Sequence, residues 1–249
     1  MKKERRAPNR KMIRGMSLLW KAVCIVLACL AAVLATTVFF KIDVIGVSGA
    51  SHTPSNEIID ASGISRGDNL FLIRGRAAEK KITQLFPYVE EAKIKRRLPG
   101  TLIISVTEAE PAAQIPCEEG YWIISASCKL LELSPVRLDG VMEVEGCVPV
   151  SPRAGEQLAA EDRAAAASLT KLIGALRASG ADAGTQSVDL SRSYSITLQY
   201  GGRFTVELGT LENVDYKTEY LMRIVEELDP GVTGRIDVSR GSQADFIPG

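Results

Sequence analysis

The chain has 249 residues, with 30 Lys and Arg against 30 Asp and Glu, and 46% of its side chains are hydrophobic. Balanced charge argues against a dedicated nucleic-acid binder, ordinary apolar content argues against wholesale disorder, and the length suits one or two folded domains. The neutrality is nevertheless an average: residues 1–21 carry eight basic side chains against Glu4 alone, a net +7, and the other 22 basic and 29 acidic side chains give −7.

Between the basic head and the acidic body, no residue from Ala22 to Phe40 is charged. As a helix this apolar stretch would be ~28 Å long, close to the ~30 Å hydrocarbon core of a bilayer, and would satisfy its own backbone groups. The preceding cations, set against the single Lys41 that follows, orient such a span with its N-terminus in the cytoplasm. A cleaved signal is the competing reading, with Val33-Leu34-Ala35 near a possible cleavage point, but the apolar run outlasts an ordinary signal core. Either way the acidic body is exported. Cys24 and Cys29 fall inside the span; Cys117, Cys128 and Cys147 are an odd set in the body. Free thiols are expected there, with a Cys117–Cys128 bridge as the alternative in an oxidising compartment.

After the span, alternation over Phe40-Lys41-Ile42-Asp43-Val44 predicts a strand ending at Gly46 to Gly49. Thr53 stands as an N-cap with Pro54 at the first helical position, and Gly63 closes that short helix. Leu70-Phe71-Leu72-Ile73 can tuck into a core. A second helix is predicted from Arg76 to Leu85, with Ala78, Ile82, Leu85 and Phe86 on one face and Pro87 as its stop. Two strands, Val89 to Arg97 and Thr101 to Glu108, flank Leu98-Pro99-Gly100. The order is β-α-α-β-β.

These segments resemble a known module. The run Phe40-Lys-Ile-Asp-Val, Glu57-Ile-Ile with Ser62-Gly63-Ile64, Gly67-Asp68-Asn69-Leu70, Pro87 to Ile94, Leu98-Pro99-Gly100-Thr101-Leu102 and Val106-Thr107-Glu108 resembles the FtsQ-type POTRA domain. That module follows a single membrane span in the FtsQ/DivIB cell-division proteins. The resemblance implies an α+β fold: a single N-terminal transmembrane helix, the POTRA domain, then a β-rich domain with two helices. The corresponding division is a basic cytoplasmic tail 1–21, the transmembrane helix 22–40, the POTRA domain 41–109, the β domain 110–239 and a flexible C-terminal tail 240–249.

Within the β domain, Tyr121 to Ser125 and Lys129 to Leu133 read as a hairpin, and Leu138 to Gly155 as loop. Glu161 to Ala178 reads as an amphipathic helix ended by Gly180. Strands follow at Ser187 to Leu190, Ser195 to Gln199 and Arg203 to Leu208, the last two joined at Tyr200-Gly201-Gly202. A final helix carries Leu221, Ile224, Val225 and Leu228 on one side before Pro230-Gly231, and Arg235 to Val238 is a terminal strand.

No catalytic, metal or cofactor site is expected. His52 is the only histidine and sits in a loop; adjacent acids such as Glu90-Glu91 do not converge on one point; no phosphate-binding glycine loop or zinc-type spacing is present. The basic run Lys93-Ile94-Lys95-Arg96-Arg97 reads first as a charged face protecting a strand from pairing, and second as an attractor of anionic lipid headgroups or wall polymers. The terminal strand, if it lies at a sheet edge, could accept a strand from another chain; the alternative is a strand that merely completes the sheet. The resemblance implies that Arg235, Ile236, Asp237, Val238, Ser239, Arg240, Gly241, Ser242 and Phe246 bind the partner. It also implies small single-span partners of the FtsB/DivIC and FtsL kinds, the septal wall-synthesis complex, the lipid bilayer and no nucleic acid. The implied place is the cell (inner) membrane at the division septum, as a single-pass type II protein. A POTRA protein of membrane-protein assembly or secretion and a membrane-anchored wall enzyme are the alternatives.

Overall fold

A computed structural model of the chain describes residues 20–31, 39–240 and 244–249. Residues 20–31 are helical (α1). No helix among the described residues is long and apolar enough to cross a membrane. The predicted span over 22–40 includes residues 32–38, which lie outside the described residues, as does nearly all of the basic tail.

The first body comprises β1 (Val44–Ser48), α2 (Ser55–Ser62), α3 (Gly75–Leu85), β2 (Val89–Arg97) and β3 (Thr101–Glu108). Its sheet has the order β1-β3-β2, with β1 parallel and β2 antiparallel to the central strand. Ile58 and Ile82 from the helices meet Leu102, Ile104 and Val89 from the sheet, all fully buried. The helix spacing of Ala78 and Ile82 makes this possible, since residues four apart share a face. The strand predicted at Phe40–Val44 instead begins at Val44. Phe40 and Ile42 are held by the 66–70 loop: Leu70 N donates to Phe40 O and Gly67 N to Ile42 O, at 2.8 Å each. Their alternation therefore reflects burial under a loop rather than a ladder. The first helix begins at Ser55 with Pro54 at its cap position and no side-chain cap, so Thr53 does not serve; Gly63 closes it in the left-handed conformation. Of Leu70 to Ile73, Leu70 alone is buried, and Phe71 and Leu72 are exposed.

The second body is a nine-stranded sheet. Its strands are β4 (Pro111–Cys117), β5 (Gly120–Ser125), β6 (Leu130–Ser134), β7 (Met142–Glu145), β8 (Thr185–Asp189), β9 (Ile196–Tyr200), β10 (Phe204–Gly209), β11 (Gly234–Asp237) and β12 (Asp245–Pro248). Their spatial order is β12-β11-β10-β9-β8-β7-β4-β5-β6. Two helices, α4 (Arg163–Ser179) and α5 (Val214–Glu227), pack into the core through Leu169, Leu172, Leu176 and Leu221. Asp162 caps α4 by accepting from Ala164 N at 2.8 Å, and Gly180 ends it. The region read as loop from 138 to 155 contains β7, which is parallel to both β4 and β8. Four residues, two of them Glu, leave too little pattern to announce a strand. The cysteine thiols are free; Cys128 and Cys147 are buried and Cys117 is exposed.

The two bodies meet at a dense junction. Lys129, only 5% exposed, donates from Nζ to Thr83 O (2.8 Å), Phe86 O (3.3 Å) and Val89 O (2.7 Å), tying the second body to the end of α3 and the start of β2. Burial lowers its pKa, opposed by the charge of Glu90. Tyr88 bonds Glu132 across the same boundary; burial first, then that carboxylate, pushes its pKa up to about 12. Ala109, Ile123 and Leu131 form a small buried cluster there, with Tyr88, Tyr121 and Leu138 packed against it.

Candidate functional site

The implied partner-binding segment divides sharply by burial. Alternation along β11 sends Ile236 into the core at 0% exposure, with Val238 just beyond the strand at 1%, so both are packing residues. Arg235 faces outward and pairs with Glu207. Asp237 accepts from Ser239 N at 2.8 Å. Burial opposes its charge, but the bonds from Ser239 and the Arg240 and Arg235 guanidinium groups outweigh that and hold its carboxyl below the usual range. Arg240 is exposed, and Gly241 and Ser242 lie outside the described residues.

The strand at 235–238 is not the edge. It lies between β10, to which it is parallel, and β12, to which it is antiparallel. The tail expected to be flexible thus supplies the outermost strand over Asp245–Pro248, with Phe246 opposite Ile236 and Ile247 opposite Arg235. A four-residue strand with two adjacent apolar residues and a Pro shows no alternation and so carries almost no sequence signal. Phe246 is pinned edge-on against Phe204, 6.2 Å between centroids, and the Arg203 guanidinium covers the same Phe204 ring at 4.7 Å. Gly249 N donates to Thr233 O at 3.0 Å. Antiparallel pairs alternate between bonded and non-bonded, so Phe246 and Pro248 turn their backbone groups away from β11. Among the described residues no strand covers this rim, which offers the Phe246 N–H and C=O and the Pro248 carbonyl.

Directly paired residues share a face, and register places Glu145, Asp189, Thr197, Glu207, Asp237 and Asp245 in one row across six strands on the face with the less buried side chains. Asp189 is held below the usual carboxylate range by hydrogen bonds from Ser191. The row of five acids thus starts at Asp245 on the rim strand and runs inward across the sheet, partly offset by Arg235.

The catalytic possibilities raised by His52 come down to one cluster. Glu108, at the end of β3, accepts from Ser51 Oγ, from His52 Nδ1 at 3.0 Å, and from the Ser51 and His52 backbone N–H groups at 2.6 and 2.8 Å. Burial works against its charge, yet these bonds together lower its pKa to about 2. In a nucleophilic triad the imidazole stands between hydroxyl and carboxylate. Here serine and histidine both end on the carboxylate, and the ring stacks on Tyr88 at 5.3 Å, so the cluster pins a loop. Among the described residues no group of three or more His, Cys, Asp or Glu side chains could hold a metal ion.

Residues 40–109 match the family model for the POTRA domain, FtsQ-type. The chain is 28% identical over 204 residues to the cell division protein DivIB of Clostridium botulinum, covering 81% of this chain and 79% of that one. It is 32% identical over 140 residues to the cell division protein FtsQ of Corynebacterium glutamicum, 55% of this chain and 60% of that one. A similarity to DivIB of Bacillus subtilis, 27% over 129 residues, covers 51% and 47% of the two chains. With a three-stranded POTRA sheet followed by a strand-rich body, the chain carries an FtsQ-type POTRA domain and is similar over most of its length to the DivIB cell-division proteins.

Proposed function

We propose that the chain is a membrane-anchored scaffold of the division machinery that captures an extended segment of a small single-span partner along β12. The observation that carries this reading is the rim at Phe246, whose outward backbone groups have no strand partner among the described residues, with Asp245 beside it at the start of a row of acids. Main-chain bonds at such a rim supply affinity, and the flanking side chains supply specificity. The acids favour a partner with basic residues beside its strand. Residues 22–40 serve as the anchor, with the N-terminus in the cytoplasm and both folded bodies outside. Confinement beside the membrane raises effective concentration, so a short pairing suffices. Partners of the FtsB/DivIC and FtsL kinds and the septal wall-synthesis complex fit this role, and no chemical step is assigned to the chain.

Capture of a tagged FtsB/DivIC-type partner in detergent extracts tests the site. Phe246→Pro removes the outward donor and Phe246→Leu keeps it, while both lose the ring. Capture abolished by the first and retained by the second supports the rim; equal capture by both refutes it. Depletion of the chain should give filaments with unfinished septa, and normal division at normal length would refute the division role.

A further inference from the structure

The POTRA body has two poles. At one, α3 ends, β2 begins and Lys129 clamps the second body. At the opposite pole α3 and β3 begin, β2 ends, and the chain arrives from residue 39. That pole is unlike the rest of the domain. Phe39, Leu72 and Leu98 are 74%, 74% and 63% exposed, and Phe71 is half exposed. Contacts among their neighbours in the chain bring these segments together. Phe71 packs edge-on against Phe40 at 5.1 Å, and Lys41 bridges to Asn69. Asp43 N donates to Gly100 O at 2.8 Å, and Arg96 Nη2 reaches Ile73 O at 3.4 Å. Gly100 is required by this closeness, because a Cβ there would stand 2.5 Å from Lys41 O.

Cations ring the apolar tip: Lys41, Arg66, Arg74, Arg76, Arg96 and Arg97 are all exposed. Against them stand Asp43, Asp68 and Glu79. Two of these carboxylates are engaged with backbone N–H groups, Asp68 with Ser65 and Glu79 with Ile94, each at 2.8 Å. Exposed large apolar side chains encircled by Lys and Arg are the composition of a surface that enters the headgroup layer. Each cation gains from the negative potential of an anionic leaflet, and the arginines can donate to phosphate.

From this geometry we infer that the pole formed by Phe39, Phe71, Leu72 and Leu98 with its surrounding arginines docks on the anionic lipid surface from which the chain emerges. The inference rests on the reading of residues 22–40 as a span. The surface is continuous with the last apolar residues of that stretch through the Phe40–Phe71 contact. It also absorbs the end of the basic run in β2: Arg96 and Arg97 lie at the pole, whereas Lys93 lies nearer the junction.

The full chain reconstituted in vesicles containing brominated phosphatidylcholine tests this. In the parent chain, quenching of Trp20 reports the span. A Leu72→Trp variant carrying Trp20→Phe reports the pole against the constant background of Trp122. With equimolar phosphatidylglycerol the introduced indole is expected to lose most of its emission, and Arg74→Glu with Arg97→Glu, both at exposed positions, should restore it. High salt should weaken the contact. If Trp20 is quenched but the introduced indole is not, or is quenched equally without phosphatidylglycerol, the docking inference is overturned while the span stands. If Trp20 itself is unquenched, the anchor reading fails.

Discussion

The two sheets of this protein treat their edges in opposite ways. In the POTRA body, β2 is an outer strand with Lys93, Lys95, Arg96 and Arg97 exposed along it, a density of like charge that discourages another strand from adding. One end of the larger sheet is β12, a short strand with its single acid, Asp245, on the sheet face and with Pro248 removing one outward donor. The contrast teaches that charge along a strand and a proline within it guard an edge in different ways, and that openness can be limited to a single residue's donor and acceptor.

The comparison can be broken by removing what holds each sheet together. Phe204→Ala, beneath the β12 rim, should cost about 3–5 kcal/mol in urea denaturation, and Ile82→Ala in the POTRA core about 2–4 kcal/mol. The first should also abolish partner capture and the second should spare it, because Phe204 supports Phe246 and Ile82 does not. Lys129→Ala would leave the carbonyls of Thr83, Phe86 and Val89 without their common donor and cost about 3 kcal/mol. Its signature would be a split of one unfolding transition into two, followed by fluorescence and circular dichroism. A transition that stays single would mean that the apolar junction alone joins the bodies.

A pH experiment sharpens the contrast at the junction. The folded pKa of Glu108, about 2, lies below the unfolded value near 4.5. Its contribution to stability is therefore complete above about 4.5 and is lost as pH falls toward 2. Stability measured from pH 6 to pH 2 should show this acid limb in the parent chain and a weaker one in Glu108→Gln. The smallest expected effect is at the rim: Pro248→Ala adds an outward N–H to β12, and capture should strengthen by less than about tenfold, since one hydrogen bond is worth roughly 1 kcal/mol.

Much of this architecture is written in local pattern. The faces of α4 and α5, Ala78 and Ile82 on α3, the stops at Gly63 and Gly180, and the Tyr200-Gly201-Gly202 turn each follow from spacing and backbone preference within a few residues, whereas Leu85, predicted on the same α3 face, is exposed at the end of the helix. What escaped depends on distant partners. The strand at 245–248 exists because Arg235 and Ile236 lie beside it, and β7 because β4 and β8 flank it. Reading Arg235 to Val238 as a possible edge puts the rim of the sheet one strand too far in, because alternation marks a strand without telling what lies next to it. Lys129 was unreadable for the same reason: its acceptors are some forty residues earlier in the chain.

The lysine clamp has a mechanical meaning. Three bonds from one ammonium, made to two different elements, resist both sliding and twisting between the bodies. With residues 22–40 as the proposed anchor and β12 as the proposed docking strand, the protein would behave as a lever, its fulcrum at the membrane and its working tip at β12. On that proposal, any tilt imposed at the fulcrum becomes a displacement of the tip, and the height and angle at which a partner would meet the rim are set by the near end of the molecule.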